Sequence, residues 1–181
     1  MRFRTSLAAA LLALSASVTA VTPPATAAPD HAQRSSLADS PRAAIHIRNA
    51  ASNLCLAVRQ GSGERPVIQT TCDYSVGTYW PDQYWDLVAV DAANSIYRLR
   101  NTQSGLCVAA RGSGETNAIA TTCGAGTQWT DQQWRLQYVA KWGADRVQNR
   151  ASGNCLAARG TGESNAIATT CNYDWPDQHW W

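Results

Sequence analysis

Trp129-Thr130-Asp131-Gln132-Gln133-Trp134 decides the reading of this chain. The pattern Trp-x-Asp-Gln-x-Trp returns as Trp80-Pro81-Asp82-Gln83-Tyr84-Trp85 and as Trp175-Pro176-Asp177-Gln178-His179-Trp180. Upstream of each copy, two cysteines bracket a Gly-rich turn. Cys107 to Cys123 reads CVAARGSGETNAIATTC and Cys155 to Cys171 reads CLAARGTGESNAIATTC, while Cys55 to Cys72 reads CLAVRQGSGERPVIQTTC, one residue longer and more diverged. Three copies at a period of about 50 residues imply units that cannot bury their apolar faces alone, hence an array or a closed symmetric fold.

Outward from the hexapeptides, the periodicity is that of strands. Ile45 and Ile47 alternate with His46 and Arg48, and Trp134, Leu136 and Tyr138 alternate inward, as do Trp85 and Leu87. Ile47-Arg48-Asn49, Leu99-Arg100-Asn101 and Val147-Gln148-Asn149 are equivalent, and the recurring asparagine at a strand end is expected to cap a turn through its side chain. Asn53, Gly105 and Gly153 follow, residues that tolerate positive φ, so a tight turn feeds the strand bearing each first cysteine. Ile68, Ile119 and Ile167 mark the return strands. Four short strands per repeat with no helical periodicity predict an all-β fold, a closed antiparallel barrel with few bare edges.

Six cysteines suit an exported chain and can pair in many ways. The repeats select the symmetric solution, Cys55–Cys72, Cys107–Cys123 and Cys155–Cys171, each closing a hairpin onto itself. A zinc site would need closely spaced Cys or His pairs, which are absent from the sequence, so no metal and no cofactor is expected. The N-terminus agrees with export. Arg2 and Arg4 precede an apolar run from Leu7 to Val18 that is too short to span a bilayer, and Ala25-Thr26-Ala27 offers a cleavage site, with Val18-Thr19-Ala20 as the alternative. Residues 1–27 are thus expected to be a signal peptide, 28–42 a Pro/Ala/Ser-rich flexible leader, and 43–181 the folded module, with repeats near 43–91, 92–141 and 142–181. Loss of Arg2 and Arg4 leaves the basic residues equal in number to the 13 acidic ones. A neutral surface without a Lys/Arg cluster lacks the footprint for nucleic acid or anionic membrane.

Cys-Leu-x-x, a Gly-rich turn, a second Cys and Gln-x-Trp, three times over, resemble the ricin-B-type lectins and related carbohydrate-binding modules. The resemblance covers Ala43 to Trp181 and implies a β-trefoil. It implies that Trp85, Trp134 and Trp180 pack in the core and that Gln83, Gln132 and Gln178 orient a sugar-binding group. The family's sugar-binding aspartate, two residues after the first cysteine, is replaced here by Ala57, Ala109 and Ala157, and its aromatic platform falls on Thr70/Thr71, Thr121/Thr122 and Thr169/Thr170. A rebuilt carbohydrate site is therefore placed on Trp80, Asp82 and Gln83, on Trp129, Asp131 and Gln132, and on Trp175, Asp177 and Gln178. An aromatic face suits sugar C–H surface, and a carboxylate suits vicinal hydroxyls. The alternative is a structural Trp lidding the barrel and an Asp capping its own turn.

Arg59/Glu64, Arg111/Glu115 and Arg159/Glu163 bracket the Gly-rich turns, either as exposed cross-strand ion pairs or as the rim of a polar site. Catalysis needs one asymmetric constellation, whereas this chain repeats its distinctive residues. His31, His46 and His179 do not recur, and the spacing of Asp73 and Asp82 does not single out a glycosidase pair. The leading expectation is a secreted, non-catalytic, multivalent carbohydrate-binding module acting on a polysaccharide or glycan surface. The runner-up is a protein-binding trefoil such as a protease inhibitor. Repeat three ends at Trp180-Trp181, so either the barrel closes imperfectly or Trp181 replaces a missing leucine.

Overall fold

Alternating side chains make short strands, and the turns between them make hairpins. The computed structural model describes residues 36–39 and 44–181. The strands run β1 (Cys55–Ala57), β2 (Arg65–Pro66), β3 (Ile68–Thr70), β4 (Trp85–Asp91), β5 (Ile96–Asn101), β6 (Cys107–Ala109), β7 (Thr116–Asn117), β8 (Ile119–Thr121), β9 (Trp134–Val139), β10 (Ala144–Asn149), β11 (Cys155–Ala158), β12 (Ser164–Thr169) and β13 (His179–Trp180). No α-helix occurs among the described residues. The opening strand of repeat one is reduced to isolated bridges at Ile45, Arg48 and Asn49.

The symmetry of the text is also a symmetry in space. Each hairpin pairs in the same register, with Cys55 opposite Thr70, Cys107 opposite Thr121 and Cys155 opposite Thr169. The disulfides join Cys55 to Cys72, Cys107 to Cys123 and Cys155 to Cys171, leaving no free cysteine. Where the three hairpins meet, the amide of Val67 donates to the carbonyl of Ala118 at 3.0 Å, Ala118 to Ala166 at 2.9 Å, and Ala166 to Val67 at 2.8 Å. That closed triangle of main-chain bonds lies among fully buried residues, where an unpaired amide would be costly. Each return strand therefore completes its neighbour's hydrogen bonding.

Below the hairpins, the barrel strands close another ring. Ile45 faces Trp85, Tyr97 faces Trp134 and Asp145 faces Trp180. The indoles of Trp85, Trp134 and Trp180 are fully buried, and each donates its N–H at 2.9 Å to the carbonyl of Leu56, Val108 or Leu156, the residue after a first cysteine. An unbonded indole N–H would oppose burial; bonded, it fixes the ring against its own hairpin.

The asparagines cap turns as expected and also link repeats. Asn49 Oδ1 accepts the amides of Ala51 and Ser52, and Asn149 those of Ala151 and Ser152. Their Nδ2 groups, with that of Asn101, donate to the carbonyls of Asp177, Asp131 and Asp82 in the preceding repeat, at 2.7 to 2.9 Å. Asn53, Gly105 and Gly153 hold φ of 60°, 69° and 74°, the left-handed turn read from the residue types.

Two expectations change at the chain ends. The last strand is short, yet the barrel closes: Arg48 N donates to Trp181 O at 2.8 Å, Trp181 N returns to Arg48 O at 3.0 Å, and the Arg48 guanidinium lies 4.4 Å from the Trp181 ring centroid. Trp181 acts through main-chain pairing and a cation–π contact rather than as a leucine substitute. Most of the expected leader and the whole expected signal peptide lie outside the described residues. Within the leader, however, Leu37–Asp39 forms a 3-10 turn, and Leu37 is buried in the core. Ser36 Oγ donates to Asp145 Oδ2 at 2.9 Å, at a buried position where the other repeats carry Ile45 and Tyr97. An apolar side chain with a core to enter outweighs the local disorder that its neighbours' composition favours.

Candidate functional site

Each Trp-x-Asp-Gln stretch folds as a 3-10 turn, Pro81–Gln83, Thr130–Gln132 and Pro176–Gln178, preceded by the tryptophan. Proline at the first turn position of repeats one and three suits a residue whose amide has no partner there. The turn separates the three site positions. Trp129 and Trp175 are 50% and 45% exposed, whereas Trp80 is half-buried. None of the three belongs to the buried core. The ring of Trp129 lies so close to Gly124 that a Cβ there would meet it at 2.1 Å, so glycine sets the ring's place.

The glutamines face inward. Gln83, Gln132 and Gln178 are buried, and each spends both ends on main chain flanking the second cysteine. Oε1 accepts the amide of Asp73, Gly124 or Asn172 at 2.7 to 2.9 Å. Nε2 donates to the carbonyl of Thr71, Thr122 or Thr170 at 2.8 to 2.9 Å. Both ends of each amide are thus engaged by main chain, which fixes the loop after each hairpin. Ala57, Ala109 and Ala157 are fully buried, so the substituted aspartate position offers nothing to a ligand.

The aspartates do not cap their own turns; they face arginine. Asp82 Oδ2 lies 2.9 Å from Arg59 Nη1, and Asp131 and Asp177 each lie 3.5 Å from the Nε of Arg111 and Arg159. The same arginines reach a glutamate, but not the one within their own repeat. Arg59 pairs with Glu163, Arg111 with Glu64 at 2.7 Å, and Arg159 with Glu115 at 3.0 Å. The expected intra-repeat pairs are thereby corrected to a ring that runs from repeat to repeat, because the Gly-rich turn of each hairpin reaches over its neighbour. Thr70, Thr121 and Thr169 join it, each donating a hydroxyl hydrogen to the same glutamate at 2.7 Å. The Thr70 hydroxyl and, against partial burial, the Arg59 guanidinium hold the Glu163 carboxyl below the usual carboxylate range. Thr121 with Arg111, and Thr169 with Arg159, do the same to Glu64 and Glu115.

In repeat one these groups line an open cleft of about 320 Å³ formed by Arg59, Gln60, Trp80, Pro81, Asp82 and Gln103. Gln103 comes from the next repeat. Asp82 Oδ1 is buried and has no hydrogen-bond donor among the described residues. The cleft thus joins an aromatic face, a guanidinium and a carboxylate with an unused acceptor.

Sequence reasoning missed the residues that anchor the variable loops. The middle residue of Gln-x-Trp does so in every repeat. Tyr84 bonds Asp73, Gln133 Nε2 donates to Thr127 O at 2.9 Å, and His179 Nδ1 donates to Trp175 O at 2.9 Å. Asp73 also accepts the amides of Tyr74 and Trp80 and holds the His46 ring at 2.9 Å, so it is committed to its loop. His46, read as isolated, lies between Tyr74 and Tyr84. Burial pushes the His179 imidazole below its ordinary range. The signal was present in the variable middle position of an otherwise fixed motif.

Three hairpins around one axis and three core tryptophans define a β-trefoil. The chain belongs to the family described as ricin-type beta-trefoil lectin domain, whose model matches residues 43–180. Among solved structures, it is similar to a designed threefold-symmetric protein, ThreeFoil, with TM-score 0.64 and 23% identity over 75% of this chain and 94% of that one. It is also similar to the cytolethal distending toxin from Actinobacillus actinomycetemcomitans, with TM-score 0.60 and 20% identity over 75% of this chain and 87% of that one. The hemolytic lectin CEL-III gives TM-score 0.58 and 22% identity over 80% of this chain and 33% of that one. At these identities the structural likeness shows the fold. No curated protein sequence matches the chain.

Proposed function

We propose that this chain is a secreted, non-catalytic carbohydrate-binding module whose ligand contacts are Trp80, Trp129 and Trp175, each with the aspartate two residues on and the arginine that holds it. The observation that carries the reading is the cleft of repeat one, where the Trp80 ring, the Arg59 guanidinium and the Asp82 carboxylate meet in one open volume of about 320 Å³. A pyranose presents an apolar C–H face and a rim of hydroxyls, and aromatic stacking beside charge-assisted hydrogen bonding is the complement. Family membership supports this, as does the structural likeness to a hemolytic lectin. Export is supported by three disulfides in so short a chain. Three shallow sites suit a polymer, because avidity multiplies weak contacts without any one being tight.

Affinity electrophoresis against a panel of soluble polysaccharides tests the reading, with Trp80→Ala, Trp129→Ala and Trp175→Ala combined in one protein. The wild type is retarded by at least one polysaccharide and the triple variant by none. Equal retardation of both proteins overturns the assignment of these residues, and absence of retardation on every polysaccharide overturns the carbohydrate reading.

A further inference from the structure

An arginine beside an aromatic ring in an open cleft has the form of a receptor for carboxylate or sulfate. The pairing here removes that capacity. Arg59 is held by Asp82 on one side and by Glu163 on the other, and also donates to Thr70 Oγ1 at 3.2 Å. Arg111 stands between Asp131 and Glu64, and Arg159 between Asp177 and Glu115. In every repeat one guanidinium faces two carboxylates, so each cluster keeps an uncompensated negative charge. The three glutamates involved are all that the chain contains, and each occupies the same position in its repeat.

The lone acceptor points the same way. Asp82, more than nine-tenths buried, lines the cleft, and its Oδ1 lacks a donor among the described residues. A carboxylate oxygen without a donor calls for a group that supplies a hydrogen, a hydroxyl, an ammonium or a water, rather than for another acceptor. A carboxylate or sulfate would bring further acceptors and a like charge into a site already negative.

Building on the carbohydrate reading above, we propose that the Arg–Asp–Glu cluster beside each Trp-x-Asp turn, which lines a formed cleft in repeat one, selects glycans that are uncharged or carry an ammonium group and rejects those bearing carboxylate or sulfate. The glutamate that enforces this at each cluster belongs to the preceding repeat. Glu163 therefore acts at the cleft of repeat one, Glu64 at the Arg111 cluster of repeat two and Glu115 at the Arg159 cluster of repeat three. It does so by occupying the guanidinium face that an anionic sugar would otherwise use.

The test is a titration of the whole protein, followed by Trp fluorescence, with oligosaccharides of one length and linkage in four forms: neutral, 6-carboxylated, 6-sulfated and 2-amino. The acidic forms are expected to bind about fivefold weaker than the neutral one, or worse, at low salt, and the amino form at least as well as the neutral one. Glu163→Gln frees one face of Arg59 and should recover about threefold or more of the binding to the carboxylated form. Because the pair crosses between repeats, adding Trp80→Ala cancels that recovery and adding Trp175→Ala does not. Glu64→Gln with Trp129→Ala repeats the design at the Arg111 cluster, and unchanged melting temperatures of the single Gln variants show that the fold is intact. Acidic forms binding as tightly as the neutral one overturn the proposal while leaving the carbohydrate reading in place. So does a recovery cancelled by Trp175→Ala instead of Trp80→Ala. Binding of none of the four refutes the carbohydrate reading, and this selectivity with it.

Discussion

Replacing Gln132 with alanine isolates what the repeated glutamine does. Its Oε1 accepts Gly124 N–H at 2.7 Å and its Nε2 donates to Thr122 C=O at 2.9 Å, so one side chain bonds the main chain on both sides of Cys123. Alanine leaves both backbone groups without that partner and a void where a buried amide stood. An orphaned buried group costs about 1–3 kcal/mol. Gly124 is half-buried and Thr122 exposed, so water replaces part of the loss. A net destabilisation of about 2–4 kcal/mol follows, and in a chain of this size a melting temperature lower by roughly 5–12 °C. Urea unfolding with an unchanged m-value and calorimetry at neutral pH measure it. Trp129→Ala, at a half-exposed ring, should cost about 1 kcal/mol or less while removing one of the proposed ligand contacts. The two variants thus part stability from binding. A Gln132→Ala protein within about 0.5 kcal/mol of wild type would refute the clamp and return the glutamine to the ligand site.

Three further outcomes follow from the same geometry. His179 donates Nδ1–H to Trp175 O, and its buried Nε2 has no partner among the described residues, so protonation would bury an unsatisfied N–H. Its folded pKa is depressed by burial, so the stability it contributes is present above about pH 6.5 and is lost as pH falls from there through the folded value. His179→Gln, the residue type that repeat two carries as Gln133, should flatten that part of a pH–stability profile; an unchanged slope there contradicts the assignment. Deleting Trp181 removes two main-chain bonds and a cation–π contact at barrel closure and should lower stability by about 2–3 kcal/mol, read by urea unfolding. Leu37→Ala should cost about 2–4 kcal/mol by the same measurement if the turn seals the core as described, and close to nothing if the leader is free.

Much of the fold was legible because it rests on residues that recur in register. The cysteine pairs, the core tryptophans and the capping asparagines each had one role that their chemistry permits at a repeated position. Less of the site could be read. Arg59 and Glu64 are near in sequence and suggest a local pair, yet their partners are Glu163 and Arg111. Sequence spacing fixes a position within a repeat and is silent on which neighbour it faces. The glutamines show the same limit, since a buried amide and a ligand-facing amide are identical as letters. Leu37 was hidden by its surroundings, because a single leucine among Ser, Ala and Asp has no periodicity to reveal the core it enters.

The three arginine clusters share a network but not a geometry, and the difference follows from what holds each part. Arginine, glutamate and threonine sit on hairpins locked at the axis by the Val67, Ala118 and Ala166 triangle, and the aspartate turn is tied to the next repeat by Asn101, Asn149 or Asn49. These parts cannot move independently, so the charge pattern is common to all three. The tryptophan instead leads out of a loop whose length falls from repeat one to repeat three and whose anchor is a different residue each time, Tyr84, Gln133 or His179. Asp82 accordingly lies closer to its arginine than Asp131 or Asp177 does, 2.9 Å against 3.5 Å, and its side chain is 9% exposed against 22% and 18%. A deeper carboxylate loses less of its interaction to solvent screening. The Asp82–Arg59 pair of repeat one is therefore the least screened of the three, and the differences among the repeats reside in the loops, over an arginine–glutamate ring that all three share.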